Sequence, residues 1–88
     1  MKVLTEHAKE RMSKRSITEV DIDYTLSMGK FFYRQQLIFF VSPDDNLVVV
    51  TTNPEIAGSI NVLTSYYRKN AMKYVKRKSK RRYKHLAA

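Results

Sequence analysis

The chain has no cysteine, only two glycines and two prolines, and no long hydrophobic run among its 88 residues. Without cysteine it forms neither a disulfide framework nor a cysteine-based zinc site. No window approaches the roughly 18 apolar residues of a membrane-spanning helix. The N-terminus reaches charge at Lys2, before any apolar stretch of the kind found in signal peptides. The expected setting is therefore the cytoplasm.

Acidic residues are missing from a long C-terminal stretch. Residues 68–84 contain ten of the 17 basic residues and no acid, whereas residues 1–67 carry the other seven and all eight acids, a net charge of −1. The formal net charge of +9 thus combines a nearly neutral body with a strongly basic segment. This separation favours a polyanionic partner, RNA or alternatively DNA.

The length allows one small domain. We place a single α+β domain over residues 1–75 and a basic C-terminal tail over residues 76–88. Hydrophobic residues make up 43% of the chain, which suffices for one modest core. A partner is therefore expected to add stability.

Two helices are predicted in the N-terminal third. The first covers residues 6–15 behind Thr5, a good N-cap. The second follows Thr18, which has an acid three residues later as a capping box requires. It runs to about residue 28 and stops at Gly29, a natural C′ residue.

The pattern becomes extended after the second helix, since β-branched and aromatic residues dominate four segments. Residues 42–46 form a turn cluster that makes a hairpin of its two neighbours, and residues 53–59 are predicted to be a loop. The expected fold is α+β, with two N-terminal helices packed on a curved, mainly antiparallel sheet of about four strands, followed by a C-terminal basic helix or tail. The strands are residues 31–34, 37–41, 47–52 and 60–67.

The first helix carries the residues best suited to chemistry. His7, Arg11 and Lys14 follow one another at helical spacing, and Arg15 lies between Arg11 and the core side. One imidazole beside several cations is what cleavage of an RNA backbone without a metal requires. The imidazole moves a proton near neutral pH and the cations stabilise the phosphorane. No cofactor or metal site is expected.

Simpler roles fit the same residues. Ordinary phosphate binding needs the same cations, and a lone histidine on a helix is usually not catalytic. Arg15 also fits a bridge to Asp21 or Asp23 that would lock the two helices together. The spacing alone leaves these alternatives open.

Residues 7–18, HAKERMSKRSIT, resemble the H-A-x-x-R-M-x-x-R-x-I-[ST] signature of a family of small bacterial and phage proteins of unknown function. That family stands near the RelE-like and BrnT-like ribonuclease toxins. The resemblance continues through most of residues 5–68, ending in a closing strand over residues 62–68. It implies a compact α+β fold and an endoribonuclease of the mRNA interferase type, held in check by an antitoxin or similar protein. Carried over residue by residue, it points to His7, Arg11 and Arg15 as catalytic residues, and then to Thr64, Tyr67 and Arg68.

The basic segment is the second functional feature, because a dense basic run containing an aromatic suits phosphate contacts with base stacking. A solvated tail and a nuclear localisation signal are the alternatives. A membrane surface is not expected, since the segment lacks a wide apolar face. The predicted nucleic-acid-binding residues are Lys14, Tyr67, Arg68, Lys69, Lys73, Lys76, Arg77, Lys78, Lys80, Arg81 and Arg82.

Three functions therefore compete. The leading hypothesis is an RNA-binding, toxin-like endoribonuclease that works without a metal. The alternative is a non-enzymatic nucleic-acid-binding module that uses the basic C-terminal segment. The third is a protein-interaction domain whose tail contacts an acidic partner.

Overall fold

The computed structural model describes residues 2–76 and contains a five-stranded sheet with helices on both of its faces. The predicted α+β class is therefore confirmed, with one more strand than expected. In chain order the elements are β1 (Lys2–Leu4), α1 (Glu6–Arg15), α2 (Glu19–Met28), β2 (Lys30–Arg34), β3 (Leu37–Val41), β4 (Leu47–Thr52), α3 (Pro54–Ala57) and β5 (Ile60–Tyr67). Residues 71–76 form a further helix, α4.

The capping signals place the first two helices where the sequence predicts them. The Thr5 hydroxyl accepts the Ala8 N–H at 3.1 Å, and α1 begins at the next residue. At α2 the Thr18 hydroxyl accepts the Asp21 N–H at 3.2 Å, while the Asp21 carboxylate accepts the Thr18 N–H at 2.9 Å. Each cap satisfies backbone donors that the first turn of a helix leaves without a partner.

The strand order is β1-β5-β4-β3-β2, and every neighbouring pair is antiparallel except β1 with β5. β1 is the strand that the sequence did not predict. It has only three residues, so it carries no readable alternation, and it pairs with a strand more than 50 residues away. The expectation of about four strands is thus corrected to five, and the loop predicted over residues 53–59 contains the short helix α3.

Each face of the sheet has its own core. We call the face covered by α1 and α2 the helical face; its core contains residues of both helices together with Leu47, Val49 and Val62. We call the opposite face the C-terminal face, because Ala71 and Val75 of α4 are buried there against β3 and β4. The apolar runs of these two central strands therefore reflect burial on both sides, as predicted.

β2 forms one edge of the sheet, with its hydrogen-bonded neighbour β3 on one side only. Its side chains Phe31 and Tyr33 point to the helical face, since their cross-strand partners are Phe40 and Ile38. They are 54% and 55% exposed. The two rings meet edge to face at 5.8 Å, so an aromatic pair stands uncovered at this edge.

Gly29 ends α2, but for a different reason from the one the sequence suggested. Its φ of −78° is extended, so it does not serve as the left-handed C′ residue that was expected. What requires glycine is space: an added Cβ would lie 2.3 Å from the Val41 carbonyl oxygen and 2.5 Å from that of Thr25. Both obstacles are backbone atoms, which cannot rotate away.

Replacing Gly29 with alanine should therefore destabilise the fold. We expect Gly29→Ala to lower the free energy of unfolding because α2 must move away from β3. Overpacking typically costs about 1–3 kcal/mol, and we expect a loss near the upper end of that range. Urea unfolding followed by circular dichroism measures the loss. Ser27→Ala, on an exposed position of the same helix, should change it by less than about 0.5 kcal/mol. Equal effects of the two changes would contradict this account.

Candidate nucleic-acid interface

The cations of α1 lie on the helical face of the sheet. His7 and Lys14 are exposed and Arg11 is half-buried, in the order that helical spacing predicts. The Lys14 ammonium lies 3.2 Å from the Glu10 carboxylate, so part of its charge is neutralised. Among residues 2–76, no hydrogen bond or ion pair involves the side chain of His7 or Arg11.

Arg15 joins α1 to β5. Its guanidinium Nη1 donates to the Ser65 carbonyl oxygen at 2.5 Å. Within the described part of the chain, the adjacent Ser65 hydroxyl is buried without a hydrogen-bond partner. A partly buried, charge-assisted hydrogen bond of this kind positions the end of the helix over the strand. Arg15 is therefore engaged in the fold, which limits its part in any contact with substrate.

The bridge from Arg15 to Asp21 or Asp23 that the sequence suggested is wrong. Asp21 caps its own helix, and Asp23 lies 2.6 Å from the Lys2 ammonium. Lys2 also lies 3.0 Å from Glu19. Hydrogen bonds to Asp23 and then Glu19 raise the pKa of Lys2. The missed strand β1 thus supplies the cation that holds α2.

A cleft with a basic lining opens at the end of β5, where the chain turns into α4. Its volume is about 200 Å³, and its lining consists of Arg68, Lys69, Asn70, Lys73 and Tyr74. We call it the basic cleft. The Arg68 guanidinium carbon lies 3.6 Å above the centroid of the Tyr74 ring, which is van der Waals contact and a cation–π arrangement. Three of the predicted nucleic-acid-binding residues therefore line a single cleft.

The turn between β3 and β4 holds the cleft in place. The Asp45 carboxylate accepts the Met72 N–H at 2.6 Å, and the Asp45 carbonyl accepts the Ala71 N–H at 3.2 Å. The neighbouring Asn46 carbonyl accepts the Arg68 N–H at 2.8 Å. The sequence marks Asp45 only as a turn former, because nothing in it connects residue 45 with residue 72.

Two further polar side chains lie next to the cleft on the C-terminal face. Burial raises the pKa of the half-buried Tyr66 hydroxyl, and Tyr74 raises it further, while the positive charges of Arg68 and Arg34 oppose the shift. Tyr66 therefore stays a neutral hydroxyl at neutral pH. Arg34 itself lies 5.7 Å from the centroid of the Phe39 ring. Sequence reasoning missed Arg34, which belongs to a strand far from the basic segment.

A second pocket of similar size has the opposite character. It measures about 190 Å³ between α2 and the β3–β4 turn, and its lining includes the carboxylates Asp21 and Asp44 together with Tyr67. We call it the acidic pocket. Tyr67, predicted to contact nucleic acid, therefore lies beside charges that repel phosphate. Thr64 faces the other way, since its partner Val50 belongs to the C-terminal core.

The structure therefore separates the two groups of predicted site residues. His7, Arg11 and Lys14 belong to the helix on one face, whereas the basic cleft belongs to the segment that packs on the other face. Lys76 is exposed at the end of the described helix α4. Arg77, Lys78, Lys80, Arg81 and Arg82 lie outside the described residues.

The comparison with known families covers most of the chain. Residues 4–68 match a domain of unknown function, DUF4258. The chain belongs to this family. No curated protein and no solved structure matches it. The DUF4258 match includes all of α1 and ends at Arg68, so the other lining residues of the basic cleft lie beyond it. Membership in DUF4258 agrees with the expected small family of unknown function and assigns no activity.

Within residues 2–76 of this DUF4258 chain, no helix is both long enough and apolar enough to cross a membrane. Nor does any group of three histidine or acidic side chains gather closely enough in that part to hold a metal ion.

Removing the Asp45 carboxylate should loosen the segment that forms the basic cleft. Glycine accepts the positive φ of 61° at this position, so Asp45→Gly removes the cap without adding backbone strain. We expect about 1 kcal/mol less protection at α4, which speeds hydrogen exchange of the Met72 amide about fivefold. The control Asp44→Gly removes the same charge one residue earlier and should leave that amide unchanged. Equal exchange in both variants would show that Asp45 does not hold the segment.

Proposed function

We propose that this protein binds RNA through the basic cleft and the basic residues that follow it. The observation that carries the proposal is the cleft itself, where the cations of residues 68, 69 and 73 gather without a neighbouring acid in the lining. Each lysine or arginine that neutralises a phosphate releases condensed counterions, which drives binding. The sequence adds further positive charge, since residues 68–84 contain ten basic residues and no acid.

The charge on the rest of the molecule favours this region for RNA binding. Residues 1–67 have a net charge of −1, and the acidic pocket lies on the other side of the β3–β4 turn. Lys2, Lys9 and Lys14 each pair with a carboxylate, which offsets part of their positive charge. A phosphate chain is thus attracted to the C-terminal face and repelled from the mouth of the acidic pocket.

Binding should weaken with salt and depend on the lysines of the cleft. For a single-stranded RNA, each lost phosphate contact lowers the slope of log affinity against log salt by about 0.7. Lys69→Gln/Lys73→Gln should therefore lower the slope by about 1.4. We also expect it to weaken binding about tenfold at low salt. Fluorescence anisotropy with a labelled RNA measures both quantities.

The matched control is Lys9→Gln, which removes a positive charge from α1 on the opposite face. It should change RNA affinity less than twofold. If it weakens binding as much per charge as the cleft variant, RNA does not use the cleft. The absence of any salt-dependent RNA binding by the full chain would refute the proposed function.

Endoribonuclease activity is the second candidate, and it is favoured by the geometry of α1. His7 is exposed, and Arg11 follows one helical turn later. The expected nearness of this family to RelE-like and BrnT-like toxins points the same way. In the proposed reaction His7 takes the proton of the ribose 2′-hydroxyl, and the 2′-oxygen attacks the adjacent phosphorus. The bond to the 5′-oxygen breaks, that oxygen takes a proton from the solvent, His7 releases its own proton to the solvent, and a 2′,3′-cyclic phosphate remains.

Arg11, with Lys14, supplies the charge that stabilises the pentavalent phosphorus in this mechanism. Arg15 acts as a positioning residue, since it fixes the end of α1 to β5. The reaction uses no metal ion, and an antitoxin-like protein is the inhibitor that such an activity calls for.

Cleavage in the presence of EDTA tests this candidate. We expect His7→Ala to lower the rate at least about a hundredfold, as the loss of a general acid–base group does, and Arg11→Ala to lower it while RNA binding persists. Lys9→Ala on the same helix should cleave like the parent. Full activity of His7→Ala would rule out the mechanism. RNA binding with no cleavage by the parent would leave the binding function alone.

A further inference from the structure

The stacked pair in the basic cleft is more than a source of charge. The Arg68 guanidinium lies at van der Waals distance from the Tyr74 ring, and both side chains line the cleft. One face of the planar guanidinium therefore covers the ring. Because Arg68 is exposed, its opposite face is accessible from the cleft. Such a plane offers a flat, polarisable surface on which another flat group can stack.

The other lining residues surround this plane with groups suited to a phosphate and to a polar edge. Lys69 and Lys73 are both exposed, and each adds an ammonium group that donates to phosphate oxygens. The Asn70 side chain adds one amide donor group and one acceptor. Among the described residues, no carboxylate lines the cleft. A plane, two cations and an amide within about 200 Å³ match the parts of one nucleotide.

Backbone hydrogen bonds hold the segment that forms the cleft. The Arg68 N–H is fixed to Asn46, the Tyr74 N–H donates to the Asn70 carbonyl at 3.2 Å, and Asn70 adopts a left-handed φ of 57°. A site that is already ordered loses less conformational entropy on binding. The stacked pair therefore presents a surface that is ready for use.

We propose that the basic cleft binds one unpaired nucleotide of a single-stranded RNA, with its base stacked on the Arg68–Tyr74 pair and its phosphate between Lys69 and Lys73. The inference rests on the proposed RNA binding and specifies which RNA is bound. A base inside a duplex is stacked on its neighbours and offers no free face, whereas an unpaired base does. Single strands are consequently preferred over duplexes at equal charge.

Two other ligands share the charge but not the plane. Inorganic polyphosphate can pair with the lysines but has no flat group to stack on Arg68. An acidic peptide can pair with the lysines through its carboxylates and likewise has no flat group to stack there. The stacked arginine and tyrosine favour a ligand with flat π-systems next to its anions. Of these three ligands, a nucleotide alone supplies both a phosphate for the lysines and a flat base for the stacked pair.

The test compares probes of equal charge on the full chain. A labelled ten-nucleotide single strand, a hairpin duplex, polyphosphate and oligoglutamate are measured by anisotropy or competition at one salt concentration. Stacking of one base predicts that the single strand binds about tenfold more tightly than the other three, within the range known for aromatic stacking.

Substitutions then separate stacking from charge. Arg68→Lys keeps the charge and removes the planar group, so it should lower single-strand affinity about five- to tenfold while duplex affinity and the salt slope stay the same. Tyr74→Leu should act in the same direction, and Tyr74→Phe should retain the parent affinity. The control Tyr24→Leu alters an exposed tyrosine in the acidic pocket and should have no effect. Thermal melting checks that each variant is folded.

The outcomes distinguish this inference from the proposed function. If single strand, duplex and polyphosphate bind equally and Arg68→Lys binds like the parent, the stacking site is refuted while electrostatic RNA binding stands. Preference for oligoglutamate would identify a site for acidic peptides and overturn the inference. If no RNA binds the full chain, the proposed function and the inference fail together.

Discussion

The hydrogen bond from the Met72 N–H to the Asp45 carboxylate, 2.6 Å long, connects the two main parts of this molecule. One half is the sheet, which buries a core on each side. The other is the basic segment, whose many like charges repel one another and would by themselves favour an extended chain. Three hydrogen bonds from the segment to Asp45 and Asn46, with burial of Ala71 and Val75, bring its first turn onto the C-terminal face.

The sheet separates the residues proposed to bind RNA from the residues proposed to cleave it. The cations that we propose to bind phosphate lie on the C-terminal face, whereas the only described histidine and its arginine neighbour belong to α1 on the helical face. The nucleotide that occupies the basic cleft is therefore not the nucleotide that would contact His7. Any cleavage at α1 acts on a part of the RNA that passes round the end of β5, where Arg15 fastens that helix.

Much of the fold could be predicted from the sequence because its signals are local. The N-caps Thr5 and Thr18 act within three residues, and the apolar runs of β3 and β4 indicate burial on two sides. What could not be read depends on distant pairing. β1 is too short to show a pattern in the sequence. Because β1 was not predicted, the ion pair between its Lys2 and Asp23 was not predicted either, and Asp23 was suggested as a partner of Arg15. The sequence likewise predicted Arg68, Lys69 and Lys73 as binding residues; the three line one cleft, and their binding role stays a prediction. The role of Asp45 and the nearness of Arg34 to Tyr66 appear only when the chain is folded.

The exposed edge strand β2 also affects whether copies of this chain associate. β2 has the sequence KFFYR, with Lys30 and Arg34 at its two ends. If two copies paired their β2 strands antiparallel about Phe32, each lysine would stand opposite the arginine of the other copy. Like charges placed directly across a strand pair repel. The exposed aromatic residues of β2 thus lie between two positive charges. These charges oppose pairing of β2 with the same strand of a second molecule.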